Sequence, residues 1–258
     1  SKDYDNLRDM PRPSHADYPA DVKYSSHNDI RGGGQFSGRM TAPLVIGGSI
    51  AEDLLMERGI KIYSRIKSIG LADDSEINLE DIKEENFYDF KNQDFPVINP
   101  SSREKMKEEI LKAKKEGDSI GGIVETFILN MPVGIGEPFF DSLESVISHA
   151  VFSVPGVKGI EFGSGFEAAK MLGSVHNDPY YYENNEIKTR TNNHGGIIGG
   201  LSTGMPIVFR TAVKPTSSIA KAQDTVSLKD KSNSKLKIVG RHDPSIVPRA
   251  LVAIEMIT

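Results

Sequence analysis

Hydrophobic positions change their spacing several times along the chain, which predicts a mixture of helices and strands. Between positions 43 and 57 the apolar residues recur at helical spacing, and Gly59 supplies a C-terminal stop. We therefore expect a helix over this segment. The side chains expected to face the core are Leu44, Ile46, Ile50, Leu54 and Leu55.

Four other segments are short and rich in β-branched or aromatic residues, as strands usually are. Residues 60–66 alternate between apolar and polar side chains, which is typical of a half-buried strand. The remaining strand segments are 120–131, 157–162 and 207–213. Further along, 225–228 and 236–239 are expected to pair across a Lys-rich turn.

Three more helices are predicted from capping signals and periodicity. Ser101 and Glu104 have the spacing of a capping box, and the amphipathic segment that follows them ends at Gly117. Residues 138–152 form a second helix, and a last helix begins after Pro244. The helices and strands interleave without an internal repeat, which favours the α+β class.

The domain organisation follows from length and local charge. A chain of 258 residues suits one large domain or two small ones, and we interpret 1–258 as a single domain. The acidic stretch 73–94 lacks glycine punctuation, so it is expected to be a solvated surface insertion.

Composition excludes several classes of protein and site. The net charge of −5 argues against broad electrostatic binding to nucleic acid or to an anionic membrane. No apolar stretch is long enough for a membrane helix, and no signal-peptide pattern opens the chain. The absence of cysteine rules out disulfides and thiolate metal sites, and it is compatible with a reducing cytoplasm.

Common catalytic and nucleotide-binding fingerprints are also absent. The sequence contains no GxGxxG after a strand and no GxxxxGK[ST] loop. It has no GxSxG nucleophile turn, and its six histidines show no HExxH spacing. We therefore expect no metal site and no serine hydrolase.

A glycine-rich stretch is the first candidate for ligand binding. Three consecutive glycines at 32–34 permit close backbone approach to a ligand, and the following helix would present free N–H groups. Arg31 and Arg39 carry guanidinium groups suited to carboxylate or phosphate, and Ser37 adds a hydroxyl. The alternative is a flexible turn with two solvated arginines.

Two further segments have both a functional and a structural interpretation. Lys214 begins a KPTSS segment at the end of a predicted strand, which suits a phosphate or flavin edge, and the alternative is a turn that caps the strand. Asp243 could act as a carboxylate beside Arg241, or it could cap the last helix with Pro244 at the first helical position. His15 lies in a polar loop, where most histidines are simply solvated.

These segments, taken in order, resemble the motifs of the chorismate synthase family. The matching blocks are RPSHAD at 12–17, RGGGQFSGRMTA at 31–42, VKGIEFG at 157–163, GFEAA at 165–169, GS and HND within 173–178, TNNHGGIIGG at 191–200, KPTSS at 214–218, and GRHDPS with PRA within 240–250. Single blocks are weak signals, but their collinear order across the whole chain makes the resemblance strong.

The resemblance implies a fold, an assembly and a reaction. The fold would be the family's β-α-β sandwich, usually a cytoplasmic homotetramer. The reaction would be a 1,4-anti elimination of phosphate from 5-enolpyruvylshikimate 3-phosphate, giving chorismate. It requires reduced FMN although it has no net redox change, and some members reduce their flavin with NADPH.

The resemblance also assigns roles to individual residues. His15 matches the histidine that protonates the reduced flavin, and Asp243 matches the aspartate near flavin N5. The positions that match substrate contacts are Arg12, Ser37, Arg39 and Arg241. The positions that match cofactor contacts are Ser37, Pro155, Gly156, Gly199, Lys214, Pro215, Thr216, Ser217, Ser218 and Arg241.

The sequence departs from the family pattern at two places. The family's opening GESHG motif is not among these residues, so we expect an N-terminally shortened member. Gln35 and Phe36 replace the usual Arg-Ser pair, which removes a charge and a hydroxyl. The alternative function is therefore an inactive fragment or degenerate paralogue that keeps the fold and binds FMN or phosphate weakly.

Overall fold

A five-stranded antiparallel sheet forms the centre of the computed structural model, which describes residues 7–238 and 242–258. The strands are β1 (Lys61–Ile69), β2 (Ala72–Asp73), β3 (Gly122–Leu129), β4 (Val157–Phe162), β5 (Tyr180–Glu183), β6 (Glu186–Thr189), β7 (Ile197–Ile198), β8 (Leu201–Ser202), β9 (Ile207–Val213), β10 (Gln223–Ser227) and β11 (Ser232–Leu236). The order in the central sheet is β2-β1-β3-β9-β4, and the other strands form two-stranded hairpins.

The helices are α1 (Asp17–Lys23), α2 (Ala42–Met56), α3 (Glu84–Phe87), α4 (Pro100–Lys115), α5 (Leu143–Val151), α6 (Gly173–His176) and α7 (Val247–Ile257). Helices α2, α4, α5 and α7 contribute to the core on one face of this sheet. Helix α7 packs across β1 and β3, and α2 packs on α7. The arrangement confirms the α+β class. Within the described residues, no helix is both long enough and apolar enough to cross a membrane.

Strand β1 is buried along almost its whole length, which differs from the predicted half-buried strand. Ile62 and Ile66 belong to the main core beneath the helices. Tyr63, on the opposite face, belongs to a second cluster that includes Phe87 and Phe127. Both faces are covered, and the polar residues at alternate positions are therefore buried as well.

The acidic segment supplies that cover on the second face. Phe87 is fully buried and stacks on Phe127 with ring centroids 4.7 Å apart. Asp74 is buried and pairs with Arg65 of β1 at 2.7 Å, and Glu125 of β3 pairs with the same guanidinium. The segment 73–94 is therefore acidic but anchored to the sheet, rather than only solvated as expected.

Helix α2 matches the predicted segment, but its inward face is a different one. Ile46, Ile50 and Leu54 are all more than half exposed, whereas Val45 packs against the core. The reason lies at Gly48, where a Cβ atom would come within 2.0 Å of the Met256 carbonyl oxygen in α7.

Four residues share the inward face of α2. Since three or four residues make one helical turn, close approach at Gly48 places Val45, Glu52 and Leu55 on the inner side. The stripe formed by Ile46, Ile50 and Leu54, which the sequence analysis placed in the core, is turned outward.

Two predicted caps also lie elsewhere. Asn99, not Ser101, caps α4, since its side chain accepts a hydrogen bond from the Ser101 N–H at 3.0 Å. Helix α7 begins at Val247, so Asp243 does not cap it. The capping interpretation of Asp243 is therefore wrong, and its carboxylate is left for another role.

Candidate active site

A cleft of about 890 Å³ opens where three loops meet the start of α7. The loops are the one before α1, the glycine-rich turn before α2, and the segment that follows β9. Its volume lies within the range of roughly 300–1,000 Å³ that is usual for small-molecule sites.

Most of the residues singled out from the sequence line this cleft. They are Arg12, His15, Ser37, Arg39, Pro155, Gly156, Lys214, Pro215, Thr216, Ser217, Ser218 and Asp243. Gly199 does not line it, because it lies in the turn between β7 and β8. Arg241 lies outside the described residues.

The loop before α1 is organised around the carboxylate of Asp17. The Nε and Nη2 atoms of Arg12 donate to its two oxygens at 2.7 and 2.8 Å, and the Arg12 backbone N–H donates at 3.0 Å. His15 Nδ1 lies 2.6 Å from Asp17 Oδ1. Burial alone would raise the pKa of Asp17, but these hydrogen bonds from Arg12 and His15 hold it well below the ordinary value.

Arg12 consequently has little hydrogen-bonding capacity left for a ligand. Its third nitrogen, Nη1, donates to Ser218 Oγ at 3.2 Å, and the side chain is only 8% exposed. The residue lies at the cleft wall, where it ties the loop before α1 to the segment after β9. Its assignment as a substrate contact stays a prediction.

Lys214 joins the same two segments from the other side. Its ammonium group donates to the Ser14 carbonyl at 3.0 Å and to Ser217 Oγ at 2.8 Å. Ser217 Oγ in turn donates to the Ser14 carbonyl at 2.8 Å. Burial, with a smaller contribution from Lys158, lowers the pKa of Lys214. An anion bound beside this ammonium would raise the pKa of Lys214 again, because the anion stabilises the charged form of the side chain.

The glycine-rich turn needs glycine where it passes His15. Gly33 has φ +87°, and a Cβ added there would lie 3.6 Å from His15 Nε2. Gly34 has φ +53°, and its Cβ would lie 2.3 Å from the Asp29 carbonyl oxygen. Glycine is required here because both residues have positive φ, and at Gly34 a side chain would also clash with the Asp29 backbone.

The two arginines of this stretch differ in availability. Arg31 is held outside the cleft in a bidentate, exposed pair with Asp29. Arg39 is exposed and lines the cleft, and its backbone N–H donates to Ser37 Oγ at 3.3 Å. The hydroxyl hydrogen of Ser37 remains available to a ligand.

The far side of the cleft contains a pair that the sequence analysis missed. Arg249 lines the cleft and donates to Asp243 at 2.6 Å, with the Arg249 side chain largely exposed. His242 also lines it, and its Nε2 atom is buried without a partner among the described residues. The sequence signal for Arg249 was a basic residue inside a motif block, but its pairing depends on the fold.

Phe36 contributes an apolar surface where the family pattern has a small polar residue. It lies at the cleft beside Ser37 and is about one-third exposed, at 36%. With Val154, Ile246 and Ala250 it gives the cleft an apolar component. The cleft therefore combines apolar walls with cationic side chains.

Two other motif blocks come together away from the cleft. Asp178 accepts hydrogen bonds from Thr191 Oγ1 at 2.6 Å, the Asn193 N–H at 2.8 Å and the His194 N–H at 3.1 Å. Burial would raise the pKa of Asp178, but these hydrogen bonds lower it overall. The HND and TNN blocks thus hold one loop against another.

No group of three metal-ligating side chains occurs in residues 7–238 and 242–258.

Comparison with known proteins identifies the family. The chorismate synthase family model matches residues 1–258 of the chain. The chain belongs to the chorismate synthase family. This membership agrees with the resemblance that the motif blocks carried, and it accounts for their order along the chain.

Individual relatives support the assignment. A chorismate synthase from Korarchaeum cryptofilum is 47% identical over 254 residues, covering 98% of this chain and 69% of the relative. One from Dehalococcoides mccartyi is 44% identical over 258 residues, covering 100% and 70% respectively. A crystal structure of a chorismate synthase superposes with a TM-score of 0.76 at 29% identity, covering 92% of this chain and 66% of that one. The chain thus spans about two thirds of the length of these proteins.

Proposed function

We propose that this chain carries the cofactor and substrate cleft of a chorismate synthase, a lyase of the shikimate pathway. The substrate would be 5-enolpyruvylshikimate 3-phosphate, and the product chorismate with release of phosphate. The observation that carries the proposal is the single cleft that gathers His15, Lys214 and Asp243 from three distant parts of the chain. Family membership over the whole chain favours this function over an inactive fragment.

The cleft residues fit reduced FMN as the cofactor. Lys214 and Ser218 offer an ammonium and a hydroxyl for a phosphate or an anionic ring edge, while Val154 and Ile246 offer apolar contact. Reduced FMN, when bound, would supply electron density that assists the departure of phosphate, and it would also supply the acceptor for the hydrogen on C6 of the substrate.

The substrate carries two carboxylates and a phosphate, and the cleft has cationic side chains to match. Arg39 and Arg249 are exposed at the cleft, so their guanidinium groups can bind carboxylate in a bidentate manner. Such ion pairs hold the substrate in one orientation, so less translational and rotational entropy is lost on the way to the transition state. His15 supplies a proton site at Nε2, and Asp243 supplies a carboxylate that can accept a proton.

A binding experiment tests the proposal directly. The purified chain is titrated with FMN, followed by flavin fluorescence and difference absorbance, with and without 5-enolpyruvylshikimate 3-phosphate. We expect FMN binding that tightens when the substrate is present, and chorismate formation in an anaerobic assay with reduced flavin. A folded chain that binds neither ligand would favour the inactive alternative.

The same proposal extends to assembly, reductant and location. We expect a homotetramer in the cytoplasm, as the family resemblance implies, and a chain without cysteine suits that reducing compartment. Sedimentation equilibrium measures the assembly state, and anaerobic absorbance with NADPH shows whether the protein reduces its own flavin.

A further inference from the structure

Asp17 lies behind His15, on the side of the imidazole away from the cleft. The carboxylate is buried, and it does not line the cleft. Its Oδ1 atom is 2.6 Å from His15 Nδ1. The other ring nitrogen, Nε2, lies beside Gly33, since a Cβ atom added to Gly33 would be 3.6 Å from it. One ring nitrogen therefore faces a carboxylate and the other faces the glycine-rich turn at the cleft.

The contacts around Nδ1 decide which nitrogen carries the proton. Arg12 Nη2 lies 3.1 Å from Nδ1, and it donates one of its two hydrogens to Asp17 Oδ1 at 2.8 Å. The carboxylate can only accept, and it is closer to Nδ1 than the guanidinium is. Neutral His15 therefore carries its hydrogen on Nδ1, and the lone pair of Nε2 points toward the glycine-rich turn.

Arg12 keeps this arrangement charged and fixed. Two of its side-chain nitrogens and its backbone N–H bond the Asp17 carboxylate, and the third nitrogen is held by Ser218. Among the residues that the structure describes, the other cations near the imidazole are Lys214, bound to the Ser14 carbonyl, and Arg39, whose Nη1 lies 2.7 Å from the Cβ position of Gly32. None of them offers an acceptor to Nδ1.

We propose that Asp17 is a positioning residue that fixes the tautomer and orientation of His15 so that Nε2 exchanges a proton with the occupant of the cleft. The inference rests on the proposed function, in which that occupant is the reduced cofactor. When Nε2 takes up a proton, the imidazolium is stabilised by the Asp17 carboxylate. When Nε2 releases it, Asp17 again holds the Nδ1 hydrogen, and Asp17 itself gains no proton.

The test measures the tautomer of His15 in the ligand-free chain by ¹⁵N nuclear magnetic resonance of labelled histidine at alkaline pH. The His15 signals are assigned by their loss in His15→Gln. We expect hydrogen on Nδ1 in the wild-type chain. A wild-type ring with hydrogen on Nε2 would overturn the proposal, whatever the result for Asp17→Asn.

Asp17→Asn supplies the second arm. Its amide oxygen is expected to take the place that receives two Arg12 donors, so that the amide NH₂ faces His15 Nδ1 and moves the ring hydrogen to Nε2. Asp21→Asn is the control, because it makes the same change on α1 without contact to His15. An unchanged tautomer in folded Asp17→Asn would contradict the proposal.

Failure of this inference is separable from failure of the proposed function. The tautomer is read without cofactor or substrate, whereas FMN titration and chorismate formation test the function. If the chain shows the expected tautomers but binds no FMN, the role of Asp17 in positioning His15 stands. Only the assignment of reduced FMN as the group that exchanges a proton with His15 is then lost.

Discussion

At the scale of single residues, the cleft depends on groups whose partners cannot be read from neighbouring positions. The RPSHAD block made His15 and Arg12 recognisable, but residue types alone do not show that Asp17 binds both of them. Similarly, Asp243 was recognisable in its motif, yet its pairing with Arg249 requires the first turn of α7 to begin at Val247. Residue identities predicted which segments line the cleft, and only the fold shows which side chains are free to bind.

Lys214→Met should weaken FMN binding without loss of folding. The ammonium group is at the cleft, and its loss removes a charge-assisted contact of about 1.5–3 kcal/mol, which is roughly 10- to 100-fold in Kd. Fluorescence titration measures the change. The matched control is Lys221→Met, whose exposed ammonium pairs with Asp118 and Glu116. Equal Kd values for the two variants would exclude a role for Lys214 in cofactor binding.

Asp243→Asn should lower the rate of chorismate formation while FMN affinity changes little. Loss of a proton-accepting group costs about 10²–10⁴ in rate. Folding should be preserved, because the ion pair that Asp243 makes among the described residues is with the largely exposed Arg249. Asp224→Asn, at a highly exposed carboxylate, is the control. Turnover of Asp243→Asn within twofold of wild type would show that another group accepts the proton.

At the scale of elements, the positions of helices and strands were largely predictable, but the packing face of α2 was not. The predicted pairing of 225–228 with 236–239 was also wrong, because Thr225 pairs with Ser234 and Leu236 pairs with Gln223. Strands β4 and β9 match the predicted bounds, and α2 differs from its prediction by one residue at each end. Its segment is apolar on two sides, so hydropathy cannot tell which side faces the core. The choice is made by the close contact between Gly48 and α7, which is a property of the packed pair.

Gly48→Ala should therefore destabilise the protein although alanine favours helices. Its Cβ would meet the Met256 carbonyl at 2.0 Å, so α2 must move away from α7. Overpacking of this kind costs about 1–3 kcal/mol. Gly47→Ala is the control, because its Cβ meets nothing within 4 Å and should stabilise α2 by up to about 1 kcal/mol. Urea unfolding measures both; equal stabilities would refute the close α2–α7 contact.

Glu255 makes the packing of α7 on β1 dependent on pH. Burial raises its pKa to about 7 from an ordinary 4.5, with smaller opposing effects of Lys91 and Ser64. Between pH 4.5 and 7 the folded state holds a proton that the unfolded state has released. The free energy of unfolding is therefore greatest below pH 4.5 and falls as the pH rises toward 7. The loss is about 3 kcal/mol.

Glu255→Gln should remove this pH dependence. We expect it to have a higher Tm than wild type at pH 8 and a similar Tm at pH 4.5, measured by thermal unfolding. Glu57→Gln, at the exposed end of α2, should match wild type at both pH values. A wild-type protein whose stability does not fall between pH 4.5 and 8 would show that Glu255 is ionised without penalty.

At the scale of the whole molecule, the helical layer is covered by the sheet on one side only. Ile46, Ile50 and Leu54 are 65%, 62% and 59% exposed, and they form one continuous stripe along α2. Contiguous apolar surface of this kind binds hydrophobic dyes and lowers solubility.

Leu54→Glu should reduce the fluorescence of a hydrophobic dye such as anilinonaphthalene sulfonate bound to the folded chain, and it should raise solubility. The control is Leu71→Glu, since Leu71 is 94% exposed in the turn between β1 and β2 and is not part of the stripe. The same dye fluorescence in both variants would mean that the dye reports another surface.

The three consecutive glycines beside His15 have a consequence for how this sequence can change over generations. All three have positive φ, and two of them lie against His15 or the Asp29 carbonyl. Every single-nucleotide change that alters a glycine codon introduces a side chain or a stop. Each such side chain would sit on backbone with positive φ, which is strained for residues other than glycine, so we expect deep mutational scanning to find the triplet among the least substitutable segments of the gene.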